Sequence, residues 1–188
     1  MTESRLERFR ERKNALFAGD EQSPLDPDQQ ARFTALDYFP ENPALAFTLP
    51  LDTSEAGTEL LVNTSDGDQR THVRAGAITF PVGDEEVTLT LLGQPGQHRL
   101  FLPFIDATSG IDTYTGGRYL EPHTRPDGRV EVDFNYAYNP YCAYGEGWSC
   151  PIPPQENILP VRINAGEKSF SLDNDLELIE EFPGVGEP

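Results

Sequence analysis

HVRAGAITFPVGDEEVTLTLLG, residues 72–93, decides the class of fold. Apolar and polar residues alternate on both sides of a short turn signal, which is the period of a half-buried strand and not of a helix. The stretch therefore predicts one hairpin, with strands over 72–82 and 85–93 joined by PVGD at 81–84. The same period continues outward from it. ALAFTLPL (44–51), ELLVNT (59–64), HRLFLPFID (98–106), GRYLEPH (117–123), RVEVDFNYAY (129–138) and ILPVRI (158–163) all read as strands. SDGD at 65–68, QPGQ at 94–97 and RPDG at 125–128 supply further turns. About eight short strands with hairpin turns predict a mainly β chain, folded as a single antiparallel β-barrel or barrel-like sandwich.

The N-terminal part has a different period. Ser4 and Glu7 form a capping box ahead of Leu6, Phe9, Leu16 and Phe17, which predicts a helix with a narrow apolar stripe. Asp26, Pro27 and Gln29 predict a second helix, with Asp26 at the N-cap and Pro27 at the first helical position. Both are expected to pack outside the sheet. The domain reading is a helical segment over 1–36, a β-rich core over 37–172 and an acidic tail over 173–188. At 188 residues a single core is sufficient.

Charge narrows the partners. Asp and Glu number 32 against 14 Lys and Arg, a net of −18, and Lys13 and Lys168 are the only lysines. The acids are spread along the whole chain, which favours adaptation to high salt over a single acidic docking surface. No basic stripe is available to neutralise phosphates, so nucleic acid is not expected as a partner. No apolar run is long enough for a membrane span, and the charged N-terminus lacks a signal-peptide core. A cytoplasmic, halophilic protein is expected.

Three constellations could carry chemistry. In DATSGIDTYTGGR (106–118), Asp106, Thr108, Thr113, Tyr114 and Arg118 offer a carboxylate, hydroxyls and a guanidinium suited to an anionic ligand. The bland reading is a capped turn with Arg118 paired to Asp133. A two-residue loop at RPDG would place Arg118 on the same face as Asp133 and Asn135, and a three-residue loop would break that relation. Asp133, Asn135, Asn139 and Asn157 form the second set. Asp133 is a candidate base, while the asparagines more often bond to the backbone and fix loops. The third is Cys142 and Cys150, which are open to a disulfide, to packing as oxidisable thiols, or to a redox role. The spacing lacks the tight pairs of zinc motifs, and no metal or cofactor is expected. Trp148, between the cysteines, packs or covers a pocket. His72 and His98 read as surface or edge residues.

Four long motifs then add a resemblance. FTALDYFPENP (33–43), NTSDGDQRTHVRAGAITF (63–80), LFLPFIDATSGIDTYTGGRYLEP (100–122) and DFNYAYNPYCAYGEGWSCPIPPQENILPVRINAGEK (133–168) occur in order. In these the chain resembles the family called domain of unknown function 1684. The resemblance implies a shared β-rich fold and a shared polar site, and brings no reaction with it. The expectation is a protein that binds a small anionic metabolite, or a cofactor-independent enzyme. Its pocket would be lined by Asp106, Thr113, Tyr114, Arg118, Asp133, Asn135 and Asn139, and the loop 139–154 would form one wall. A structural or interaction module and a thiol redox protein are the alternatives.

Overall fold

The computed structural model describes residues 3–94 and 99–172. The chain is mainly β, with few helices. Helix α1 (Arg5–Gly19) starts at the Ser4–Glu7 capping box, and α2 (Pro27–Arg32) starts at an Asp26–Gln29 box with Pro27 in the first turn. Each box satisfies two amide donors that the first turn would otherwise leave open.

The hairpin read from residues 72–93 is the longest ladder. Strand β3 (Gln69–Val82) pairs antiparallel with β4 (Glu85–Gly93), and β2 (Glu59–Asn63) flanks β3 on its other edge. Gly83 opens the two-residue turn with φ +61, a value a side chain resists. A second sheet has the order β1 (Ala46–Leu49), β8 (Val130–Asp133), β7 (His123–Thr124). A third joins β5 (Leu102–Phe104) to β6 (Arg118–Leu120). Single bridges link the pieces: Leu92 with Phe101, and Tyr119 with Tyr138.

The described ladders are three small antiparallel sheets and do not close into one barrel. The expected strand over 158–163 explains part of the difference. Only Ile158 makes a bridge there, to Ile105, and Pro160 has no amide to donate. Leu159, Val161 and Ile163 still face the core. That core lies between the sheets, where Ile78, Phe80, Leu89, Leu91, Leu102, Phe104, Val130, Val132 and Phe134 are buried together. A smaller cluster of Phe17, Leu25, Leu36 and Tyr144 anchors α1. Phe9 of α1 also meets Tyr136 edge-on at 5.0 Å. Among the described residues no helix is long and apolar enough to cross a membrane. The acidic stretch from 173 and His98 lie outside the described residues.

Candidate functional site

The 106–118 cluster forms, and it forms in the interior. Arg118 opens β6 opposite Phe104 and is fully buried. Its Nη2 donates to Asp106 at 3.1 Å and to the Ile163 carbonyl at 2.9 Å, while Nη1 donates to the Ala165 carbonyl and, at 3.4 Å, to that of Glu167. Asp106 also accepts from the Thr108 hydroxyl at 2.9 Å and from the Ile163 amide at 2.8 Å. The Thr108 and Thr113 hydroxyls meet at 2.9 Å. Burial pulls the guanidinium's pKa down, and the adjacent Asp106 opposes that shift. The cation is thus spent on holding the segment 163–167 against β6.

The expected Arg118–Asp133 proximity does not occur. The RPDG loop has three residues between Arg125 and Arg129, with Gly128 at φ +82. His123 therefore pairs with Glu131, and continuing that register would set Tyr119 opposite Asn135. Tyr119 pairs instead with Tyr138, because a 3₁₀ turn over Phe134–Tyr136 takes up extra residues. Asp133 caps this turn and accepts from the Asn135 amide at 3.0 Å.

The asparagines act on the backbone. Asn135 accepts from the Asn42 amide at 2.7 Å and donates to the Asn42 carbonyl at 3.0 Å. Asn157 accepts from the Thr90 amide at 2.8 Å and donates to the carbonyls of Thr90 and Pro103, so its carboxamide substitutes for a neighbouring strand between β4 and β5. Tyr114 stands apart and is half-buried over Gly116, where an added Cβ would lie 2.5 Å from its ring.

A second buried node was not legible from the sequence. Glu167 is fully buried and pairs with Lys13 at 2.5 Å. Asn139 donates to it at 3.1 Å, and the Tyr144 hydroxyl donates to it as well. Burial and the Glu167 charge push the Tyr144 hydroxyl well above the ordinary tyrosine range. The Lys13 ammonium also sits 5.2 Å from the Tyr138 ring centroid. Lys168 pairs with Asp37 at 3.1 Å.

Beyond Asn139 the surface opens into a cleft of about 450 Å³. Asn139, Tyr141, Trp148 and Cys150 of the 139–154 loop line it, but Asp106, Arg118 and Asp133, expected in the same pocket as that loop, are not among its lining residues. Tyr141 and Trp148 meet edge-on at 4.8 Å, and a Cys142–Cys150 disulfide closes the loop behind them. Of the alternatives left open for the two cysteines, the disulfide is the one the structure holds. Opposite lie Phe101, Tyr119 and Tyr138, with the Tyr119 hydroxyl donating to the Pro151 carbonyl. Arg70 and Arg99 stand at the rim. Arg70 donates to the Ser149 hydroxyl at 2.8 Å, and Arg99 pairs with Glu121 at 2.6 Å. His72 is not a surface residue. It is 4% exposed, lines the cleft and stacks on Phe101 at 6.1 Å. Burial lowers its pKa, and the charge of Arg70 adds to the shift.

The sequence profile of the family described as "Protein of unknown function (DUF1684)" matches residues 31–168. The chain belongs to that family. The match runs from the end of α2 to Lys168, so it contains the cleft, the Arg118 node and Glu167, while Lys13 comes from outside it. The DUF1684 chain is also similar to the solution NMR structure of an uncharacterized protein of Haloarcula marismortui. Identity is 32%, the TM-score is 0.66, and the alignment covers 87% of this chain and 91% of that one. No curated protein matches.

Of the residues picked from the sequence, this DUF1684 structure gathers Asp106, Thr108, Thr113 and Arg118 in one buried node. Asn139, Trp148 and Cys150 reach the cleft. Asp133, Asn135 and Asn157 brace separate stretches of backbone. Arg70, His72, Arg99, Phe101 and Tyr119 were missed as site residues, because each sits singly in an ordinary strand pattern.

Proposed function

We propose that this DUF1684 protein binds a small organic anion in the cleft between the 139–151 loop and the Phe101–Tyr119 wall. The carrying observation is the pair of guanidinium groups, Arg70 and Arg99, at the rim of an aromatic cleft in a chain of net charge −18. A concave, largely apolar site with a few convergent polar groups is the usual form of a small-molecule site. Aromatic walls exclude water and strengthen the attraction between a guanidinium and an anion. Ligand capture at Arg118 itself is poorly supported, since its charge already faces Asp106 and three carbonyls in the interior. Binding is favoured over catalysis, because Asp133, the candidate base, is engaged in capping a turn and does not line the two arginines' cleft.

Trp148 is the single tryptophan of the chain and stands in the cleft wall, so intrinsic fluorescence reports on this site. Titration with carboxylate and phosphate metabolites at molar KCl should give a saturable change for at least one compound. Arg70→Ala together with Arg99→Ala should weaken that binding by about tenfold or more, equivalent to about 1.4 kcal/mol. A response that ignores both arginines, or no response to any anion, would sink the proposal and favour a structural module.

A further inference from the structure

We infer that the occupant of this cleft is a flat aromatic ring with an anionic group at one end and a hydroxyl at the other, and that His72 is the residue that selects the hydroxyl. The inference rests on the anion-binding reading above and names its ligand class.

Three observations converge. The lining is rich in aromatic rings: Phe101, Tyr119, Tyr138, Tyr141 and Trp148. Ring faces and edges of this kind favour a planar π-system over a saturated one of equal size.

Two cleft-lining residues also carry a buried polar atom without a hydrogen-bond partner. Among the described residues, five buried side-chain polar atoms have no hydrogen-bond partner, and two of them, His72 Nδ1 and Asn139 Oδ1, belong to residues lining the cleft. Leaving such an atom unpaired costs about 1–3 kcal/mol, and a ligand that supplies the missing partner recovers it. Burial lowers the His72 pKa, the Gly93 carbonyl opposes that shift and Arg70 adds to it, and a hydroxyl can pair with an imidazole nitrogen as donor or as acceptor.

The third observation is register. Arg70 and His72 are two residues apart on β3, so their side chains leave the same face of the strand. Two rises of a strand separate their Cα atoms by about 7 Å, a spacing on the scale of one benzene ring with its two substituents. Arg70 at the exposed rim meets the anion, and His72 at the buried end meets the hydroxyl.

The test uses three probes: para-hydroxybenzoate, benzoate and cyclohexanecarboxylate. Each is titrated calorimetrically into the full-length protein at molar KCl, with Trp148 fluorescence followed in parallel. The variants are wild type and His72→Phe, a ring that retains the stacking on Phe101, and a melt without ligand checks the fold of each. Para-hydroxybenzoate should bind wild type about tenfold more tightly than benzoate. His72→Phe should erase that difference while benzoate still binds, an outcome that a merely structural role would not produce. Cyclohexanecarboxylate should bind more weakly than benzoate.

Loss of both aromatic ligands alike in the variant overturns the selective role of His72. Equal binding of the saturated ring overturns the aromatic class and leaves anion binding standing. Failure of all three probes, while another anion still binds through Arg70 and Arg99, overturns this inference alone. Failure of every anion overturns the reading on which it rests.

Discussion

Lys13 and Glu167, 154 residues apart, meet as an ion pair at 2.5 Å, with the Glu167 side chain 1% exposed. One partner comes from α1, which lies outside the family match, and the other from the last turn inside it. Asn139 bonds to the same carboxylate and lines the cleft, so the pair also braces the cleft from behind. Replacing Lys13 by Met would leave a buried carboxylate without its counter-charge. A loss of about 3–5 kcal/mol is expected, since breaking a buried pair costs far more than never having built it. Urea unfolding at fixed KCl measures it. Adding Glu167→Gln to Lys13→Met should return part of the loss, and a fully additive double variant would show that the pair is not coupled.

Arg118 and Asp106 give a parallel case with a different signature. Arg118→Lys keeps the charge but cannot cover Asp106 together with the Ile163 and Ala165 carbonyls. It should therefore destabilise nearly as strongly as Arg118→Ala, by about 3–5 kcal/mol in each case. Urea midpoints decide this. A fully stable Arg118→Ala protein would show that the guanidinium is dispensable to the fold and would reopen a ligand role for it.

Gly117 and Gly128 have nearly equal backbone angles, φ +86 and +82, and unequal surroundings. A Cβ on Gly128 meets nothing within 4 Å, whereas on Gly117 it would lie 2.4 Å from the Phe104 carbonyl oxygen. Gly128→Ala should cost about 1–2 kcal/mol, the strain of a left-handed alanine alone. Gly117→Ala should cost clearly more, because β5 and β6 must also separate. Equal thermal shifts for the two variants would refute the crowding argument.

The Cys142–Cys150 disulfide closes a short loop with a sequence separation of 8. The chain-entropy estimate for such a loop is about 2.5 kcal/mol, or roughly 5–10 °C in Tm for a chain of this size. A dithiol reductant should produce that loss in the wild type and none in a Cys142→Ser, Cys150→Ser double variant. Trp148, held inside the loop, should show lower fluorescence anisotropy after reduction. An unchanged anisotropy would mean that backbone bonds such as Ser65 N–H to the Cys150 carbonyl hold the wall without the bridge.

Local signals were legible because their partners are close along the chain. The Ser4–Glu7 and Asp26–Gln29 capping boxes and the hairpin of β3 and β4 each close within a few residues, so spacing alone specifies them. The asparagines in the loops also behave as their short polar side chains predict, by bonding to backbone. Arg118 and Asp133 do not share a face because the RPDG loop has three residues and a 3₁₀ turn follows at Phe134–Tyr136, each of which shifts the register. A shift of this kind changes which side chains share a face, and nothing in the flanking strand pattern announces it.

The sequence by itself determined the mainly β class, the two helix starts and the family. These follow from periodicity, capping chemistry and motif order, which are properties of neighbouring residues. Only the tertiary structure decided that Arg118 faces Asp106, that Glu167 meets Lys13, and that His72, Arg70 and Trp148 share one cleft. Those relations depend on where distant segments pack, and packing is settled by the burial of the whole core, to which any one side chain contributes a small part.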